Sequence, residues 1–335
     1  MTASLLLHHP AFLFILAAVL MPLFQRLRIQ KAVLVAVPLI AFYQINALPP
    51  APGACQYLGL QLSFIRADQL TYIFLHVFTI MAFIGAVYGL HVQDWAQHTA
   101  SFLYVAGSLG VTLSGDYVTL FIFWELMALA STFLIWLRRS QQSRGAGLRY
   151  LLVHIAGGLA LLAGIVLKYS ATGDVNFVQV PVASAGIADY FIMAGFMLNA
   201  AVPPLHAWLA DAYPEATVCG AVFMCAFTTK TAVYVLCRAF PGFDVLAVMG
   251  AIMAVYGVCF AIIENDARRI LSYHIISQVG YMVCGIGIGT DMAVNGACAH
   301  AYAHILYKAL LFMGVGCVLE MTGRQKLSEL GGLWR

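Results

Sequence analysis

Long apolar runs separated by short polar punctuation dominate the chain. Eleven of them reach or approach the roughly 17 to 25 residues that cross a hydrocarbon core of about 30 Å as a helix. They cover approximately residues 10–25, 31–48, 68–92, 98–114, 116–137, 147–168, 189–202, 215–240, 244–263, 269–289 and 291–321. The pattern predicts an all-α, polytopic transmembrane bundle of about eleven helices. Composition agrees: 62% of the 335 residues are hydrophobic and only 9% are charged, with a mean hydropathy of +0.89. Such values belong to membrane-embedded helical proteins. The first run has no basic leader and no small-residue cleavage site, so it reads as a helix that stays in place and not as a removable signal.

Basic residues crowd into alternate loops. Arg26, Arg28 and Lys31 follow the first helix, Arg138, Arg139, Arg144 and Arg149 the fifth, Arg268 and Arg269 the ninth, and Arg324, Lys326 and Arg335 the eleventh. One topology gathers all of these on one side and leaves Arg66, Lys168 and Arg238 opposite. The positive-inside rule then places the N-terminus outside and the C-terminus in the cytoplasm. The net charge of +3 is therefore a topology signal, and it implies no nucleic-acid partner. Cysteines 55, 219, 225, 237, 259, 284, 298 and 317 are scattered, without a CxxC pair or a zinc spacing, and read as small packing residues. No phosphate loop, dinucleotide fingerprint or hydrolase elbow occurs, so neither a metal site nor a cofactor is expected.

A short inventory of ionisable groups inside the apolar runs carries the chemistry. Glu125 is the one charged residue in YVTLFIFWELMALASTFLIWL, Lys230 lies in CAFTTKTAVYVLCR, and His300, His304 and Lys308 lie in HAYAHILYKALLF. A central Lys or Asp costs about 2.5 to 3.5 kcal/mol on insertion scales, so retention of several such groups points to function. His300, His304 and Lys308 fall at i, i+4 and i+8, on one helical face and over about 12 Å of helix axis. Imidazole titrates near neutral pH, which suits this ladder to proton hopping. The alternative is a polar stripe satisfied by neighbouring helices, and the aligned lysine argues for the relay. His76 and His154 read as hydrogen-bonded structural histidines, with His154 also an accessory candidate. His274 opens a polar patch with Ser277 and Gln278 for which both readings stand.

The segment NAAVPPLHAWLAD, from Asn199 to Asp211, interrupts the seventh helix. Pro203 and Pro204 remove two backbone donors and break the helix. Breaks at membrane depth are tolerated where the backbone lines a cavity or is buried in protein, and in transporters they often mark an ion path. The other reading is a helix ending at the cytoplasmic surface. Asn199 and His206 are accessory candidates on either side of the break.

The strings FIFWELMALAS, NAAVPPLHAWLADAYPEA, FTTKTAVYVLCR, ARRILSYHIISQVGYM and HAYAHILYKALLFMGVG resemble the antiporter-like membrane subunits of NADH:quinone oxidoreductases (complex I), Mrp-type Na⁺/H⁺ antiporters and membrane-bound hydrogenases. The likeness runs from about Arg66 to the C-terminus. PEATVCGAVFMCAFTTKTAVY with SYHIISQVGYM is most similar to the D-type subunit of the Mrp branch. The resemblance implies that Glu125 is the fifth-helix glutamate that tunes or relays protons at the entrance half-channel. It makes Lys230 the central carrier, His300, His304 and Lys308 a hydrated relay, and Asp211 a structural aspartate at the broken-helix loop. It further implies partner membrane subunits in a lipid bilayer, H⁺ as the moving ion with Na⁺ as the ion exchanged, and a place in the cell inner membrane.

Two departures from that family pattern stand out. The seventh-helix lysine that pairs with the glutamate is replaced by Asn199, which cannot form an ion pair or carry a proton. Glu125 is then either neutral or paired with Lys230, and the sequence leaves both open. Family members usually have fourteen helices with two inverted five-helix repeats, helices four to eight and nine to thirteen. The expected divisions here are residues 1–97 for three leading helices, 98–240 for the first repeat and 241–335 for the start of a shortened second. A piece of a longer protein, a divided gene and a short natural form all fit that length. A proton-conducting subunit is the reading these residues favour. A non-conducting scaffold is the alternative, as is a pumping subunit of an oxidoreductase or hydrogenase whose redox chemistry lies in its partners. A haem enzyme is disfavoured, because His300 and His304 on one helix face cannot supply opposite axial ligands.

Overall fold

A computed structural model describes residues 9–48, 53–57 and 59–332. The helices are α1 (Pro10–Arg26), α2 (Gln30–Asn46), α3 (Gln69–Tyr88), α4 (Trp95–Leu113), α5 (Tyr117–Trp136), α6 (Gln141–Thr172), α7 (Ile187–Asn199), α8 (Ala207–Ala212), α9 (Val218–Ala226), α10 (Thr228–Ala239), α11 (Asp244–Ile263), α12 (Ala267–Ile288) and α13 (Asp291–Thr322). Among the described residues, seven helical segments are long and apolar enough to cross a membrane by length and composition. They are Gln69–His91, Tyr117–Trp136, Gln141–Thr172, Val218–Ala239, Asp244–Ile263, Ala267–Ile288 and Asp291–Thr322.

The polar punctuation sets where the helices begin. Asp68, Asp94, Asp116 and Thr217 each accept a hydrogen bond from a first-turn backbone N–H, and Ser140 and Ser143 form a reciprocal capping box. Helices α6 and α13 end at Gly173 and Gly323, whose φ values of 69° and 68° favour glycine. These caps carry α6 from Gln141 to Thr172, beyond both ends of the apolar run at 147–168.

The ninth and tenth helices sit at the centre: every residue from 219 to 240 is buried. Helix α9 is apolar around its whole circumference, as suits the interior of a bundle, whereas α10 buries a polar face of Thr228, Thr229, Lys230 and Thr231. Helices α11 and α12 pack closely through glycine. A Cβ at Gly250 would lie 2.3 Å from the Cys284 backbone nitrogen, and one at Gly280 would lie 2.5 Å from that of Ala254. Small residues of this kind let membrane helices approach backbone to backbone.

The fold departs from an uninterrupted run of helices in two places. Strands β1 (Gly53–Tyr57) and β2 (Leu60–Ile65) form an antiparallel hairpin between α2 and α3. The hairpin seals the α4–α5 turn: Ser63 N–H donates to Asp116 Oδ2 at 2.7 Å, and Gly115 N–H donates to the Ser63 carbonyl at 2.8 Å. The second departure is a break in the segment read from sequence as one helix over 215–240, which divides at Phe227 into α9 and α10.

At the same end as the hairpin, Arg238 donates two hydrogen bonds to Asp68, at 2.7 and 2.8 Å, and others to Tyr234 Oη and Thr71 Oγ1. At the opposite end Arg268 is buried and donates to the backbone carbonyls of Tyr213, Pro214, Ala216 and Thr217. These bonds satisfy carbonyls that the interrupted chain between α8 and α9 leaves outside any helix.

Candidate functional site

Glu125 lies eight residues into α5, and its carboxyl rests against α6 at Gly158. A Cβ at position 158 would come within 2.1 Å of Oε1, so glycine is what gives the carboxyl its space. Oε1 is buried without a hydrogen-bond partner, and among the described residues Glu125 forms no salt bridge. Lys230 is therefore not its counter-ion. The packing directs the lysine elsewhere, to a backbone carbonyl of its own broken helix.

One turn before Gly158, His154 donates its Nδ1–H to the Tyr150 carbonyl, 2.9 Å away, and stacks on the Tyr150 ring with centroids 3.9 Å apart. Its Nε2 is buried without a partner, so the structural reading accounts for only half of the imidazole. Asn199, the last residue of α7, is fully buried with neither its Oδ1 nor its Nδ2 hydrogen-bonded. Buried polar atoms of this kind are ordinarily met by water. Glu125 Oε1 on α5, His154 Nε2 on α6 and both amide atoms of Asn199 on α7 are thus buried polar atoms without a partner among the described residues.

The seventh helix is interrupted as its sequence predicts. Helix α7 stops at Asn199 and the chain resumes helix at Ala207. Trp208 crosses the gap, its Nε1 donating to the Leu198 carbonyl at 3.0 Å. Asp211 is held by Arg149 through two hydrogen bonds of 2.7 and 2.8 Å. That pair lines a cavity of about 560 Å³, with Glu215, Arg269, Tyr256 and Tyr273 on its other walls. His206 packs edge-on against Tyr256, at 4.3 Å between centroids, with Nδ1 buried and unpartnered. The break therefore opens toward a polar recess at the end of the bundle that carries Arg149 and Arg269.

Lys230 is completely buried, near the start of α10. At the Phe227 break the Thr228 N–H donates to the Tyr104 hydroxyl at 2.8 Å, while Tyr213 Oη donates to the Met224 carbonyl at 2.8 Å. The Cys225 carbonyl accepts from Lys230 Nζ at 2.7 Å, and Thr229 Oγ1 accepts from the same ammonium at 3.0 Å. An amine with carbonyl and hydroxyl acceptors but no carboxylate is free to give up a proton without leaving a charged partner behind.

From Lys230 the ionisable groups continue into α12 and α13. Lys308, fully buried, meets His274 Nδ1 at 3.0 Å, and His300 Nε2 meets Gln278 Oε1 at 2.9 Å. His304, between them, is fully buried with both ring nitrogens unpartnered, its ring centroid 6.1 Å from that of His300. His274, which the sequence left between two readings, joins the ladder. His76 instead bonds the Tyr302 hydroxyl at 2.9 Å and ties α3 to α13, in keeping with a structural histidine.

Sequence reasoning missed the hydroxyl groups around the break. Tyr104 Oη is hydrogen-bonded to Thr228 Oγ1, Ser108 Oγ to Thr231 Oγ1 and Ser131 Oγ to Tyr150 Oη. The only signal available was the Thr-Thr pair before Lys230, which weakens a helix without forbidding it.

Residues 114–335 match the family described as NADH:quinone oxidoreductase/Mrp antiporter, TM, and the chain belongs to that family. It is 32% identical over 287 residues to the D-type subunit of the Na(+)/H(+) antiporter of Alkalihalophilus pseudofirmus, covering 76% of this chain and 58% of that one. It is 34% identical over 247 residues to the N-type subunit of the NADH-quinone oxidoreductase of Desulforudis audaxviator, covering 68% of this chain and 49% of that one. A chain in the structure of the Mrp complex from Dietzia sp. superposes with a TM-score of 0.88 at 27% identity, over 99% of this chain and 68% of its own length. A chain of an archaeal membrane-bound sulfane sulfur reductase shares the fold, with a TM-score of 0.85 at 22% identity over 97% of this chain and 73% of its own length. The chain thus spans little more than half the length of the curated relatives it matches.

Proposed function

We propose that the chain acts as a proton-conducting, antiporter-like subunit of a multisubunit membrane complex, most similar to the D-type subunit of Mrp-type Na⁺/H⁺ antiporters. The observation that carries this reading is the set of ionisable groups on three helices, Lys230, His304 and Lys308 fully buried and His274 and His300 half-buried, with Lys308 meeting His274 directly. Protons pass along it as each change of charge biases the next group, with water completing the gaps at His304. Glu125, His154 and Asn199 form the other polar zone, and the recess beside His206 supplies a route from the surface that bears the basic loops. In this reading that surface is cytoplasmic, the N-terminus lies outside, and the bilayer is the cell inner membrane. H⁺ is the conducted ion and Na⁺ the ion exchanged. Any redox chemistry resides in partner subunits. Residues 98–240 and 241–335 correspond to the first inverted repeat and the start of the second.

The lysine at the inner end of the ladder gives the test. In vesicles containing the assembled complex, Lys308→Ala is expected to lower proton flux on the order of 10²-fold, the scale of losing a positioned proton-transfer group. Flux equal to wild type removes α13 from the path. A scaffold without transport is the second reading, and the lack of a hydrogen-bond partner at Glu125 Oε1 and at both Asn199 amide atoms is what favours it. That reading is supported instead if the substitution reduces assembly and leaves flux per complex unchanged.

A further inference from the structure

We propose that Tyr104 is a positioning residue for Lys230, an inference that rests on the conducting role just assigned to that lysine. Proline and glycine, the usual causes of a helix break, are both absent from the VCGAVFMCAFTTKTAV segment around Phe227, apart from Gly220 seven residues earlier. The break is held from outside the helix. Phe227 has φ −101° and ψ −66°, and the next N–H, that of Thr228, points to Tyr104 Oη at 2.8 Å. The same hydroxyl is hydrogen-bonded to Thr228 Oγ1 and reaches toward the Met224 carbonyl at 3.5 Å. Tyr104 therefore serves both faces of the interruption, offering an acceptor to the first donor after it and a donor to a carbonyl before it.

The consequence falls on the ammonium. In an unbroken helix the Cys225 carbonyl would accept the Thr229 N–H, four residues on. At the break it is available to Lys230, whose Nζ lies 2.7 Å away. That contact turns the lysine back along its own helix toward the break and fixes where its ammonium sits. Tyr104 is fully buried on α4, which shields its hydroxyl from bulk solvent. By holding the break open, one phenol sets the distance over which Lys230 exchanges protons with α13.

The test compares Tyr104→Phe, which keeps the ring and removes the hydroxyl, with Thr228→Val, which keeps the backbone N–H and removes Oγ1. Proton flux is measured against pH in vesicles carrying equal amounts of assembled complex. Tyr104→Phe is expected to lower flux about tenfold and to displace the half-maximal pH by about half a unit, while Thr228→Val keeps the wild-type midpoint. A wild-type pH profile in Tyr104→Phe overturns the proposal. A Thr228→Val profile displaced as far as that of Tyr104→Phe also overturns it, because side-chain oxygens would then be relaying protons and not supporting the backbone. Where Tyr104→Phe reduces assembly, hydrogen exchange of the segment around the break decides on the assembled fraction: faster exchange supports the proposal and unchanged exchange overturns it. Lys230→Ala run alongside separates the two levels, since wild-type flux there defeats the conducting role itself.

Discussion

Lys230→Ala is expected to reduce proton flux on the order of 10²-fold or more while leaving the complex assembled. The magnitude follows from the loss of a positioned proton carrier, and the intact assembly follows from the lysine's surroundings. Its ammonium bonds only the Cys225 carbonyl and Thr229 Oγ1, so its removal strands no buried carboxylate. The folding penalty that attends breaking a buried ion pair is therefore absent. Lys230→Arg is expected to fail almost as completely, because a guanidinium does not release its proton in the accessible pH range. The discriminating result is the contrast between flux and content: normal amounts of complex, quantified by native electrophoresis, with flux near the background of empty vesicles.

The second large effect concerns stability. Asp68→Asn is expected to destabilise the bundle by about 2 kcal/mol, below the 3 to 5 kcal/mol typical of a fully buried pair because the Asp68 side chain is 40% exposed. Arg238, only 4% exposed, would keep its charge and lose its carboxylate. Burial works against the Asp68 carboxylate, but hydrogen bonds from Arg238 and from the Thr71 N–H more than offset it and hold the carboxyl well below the usual range. A carboxyl held low in the folded state contributes stability that is present above its unfolded value of about 4 and is lost as pH falls below it. Wild-type thermal stability in detergent is therefore expected to fall progressively through this group as pH drops below about 4, and the Asp68→Asn variant to lack that component. Equal pH dependence in both proteins contradicts the assignment.

Both effects depend on features of unequal visibility in the sequence. The helices were readable because their limits are chemical: Asp68, Asp94 and Asp116 precede apolar runs and cap them, and glycine follows two of the longest. The interruption after Asn199 was readable because Pro203 and Pro204 cannot continue a helix. The α13 ladder was readable because its spacing alone puts three side chains on one face. The Phe227 break was not, since it is held by a tyrosine more than a hundred positions away in α4. The isolation of Glu125 was hidden for the same reason. Which cation a buried carboxyl meets depends on how α5, α6 and α10 pack, and the packing gives it the space at Gly158 and no salt bridge among the described residues. His274 likewise became part of the ladder only once α12 was laid against α13.

Glu125 without a counter-ion is the feature that separates this chain from a simple reading of its family pattern. A carboxyl in no ion pair can accept and release a proton without disturbing one, and Asn199 and His154 Nε2 add further unpartnered polar atoms to the zone proposed above. Under the conducting account that zone feeds the Lys230 ladder. Under the scaffold account it is inert.

Proton flux of Glu125→Gln and Lys230→Ala, measured side by side in vesicles holding the assembled complex at matched content, decides between these accounts. The conducting account predicts that both substitutions lower flux by at least about tenfold with assembly unchanged. Wild-type flux in both variants contradicts it.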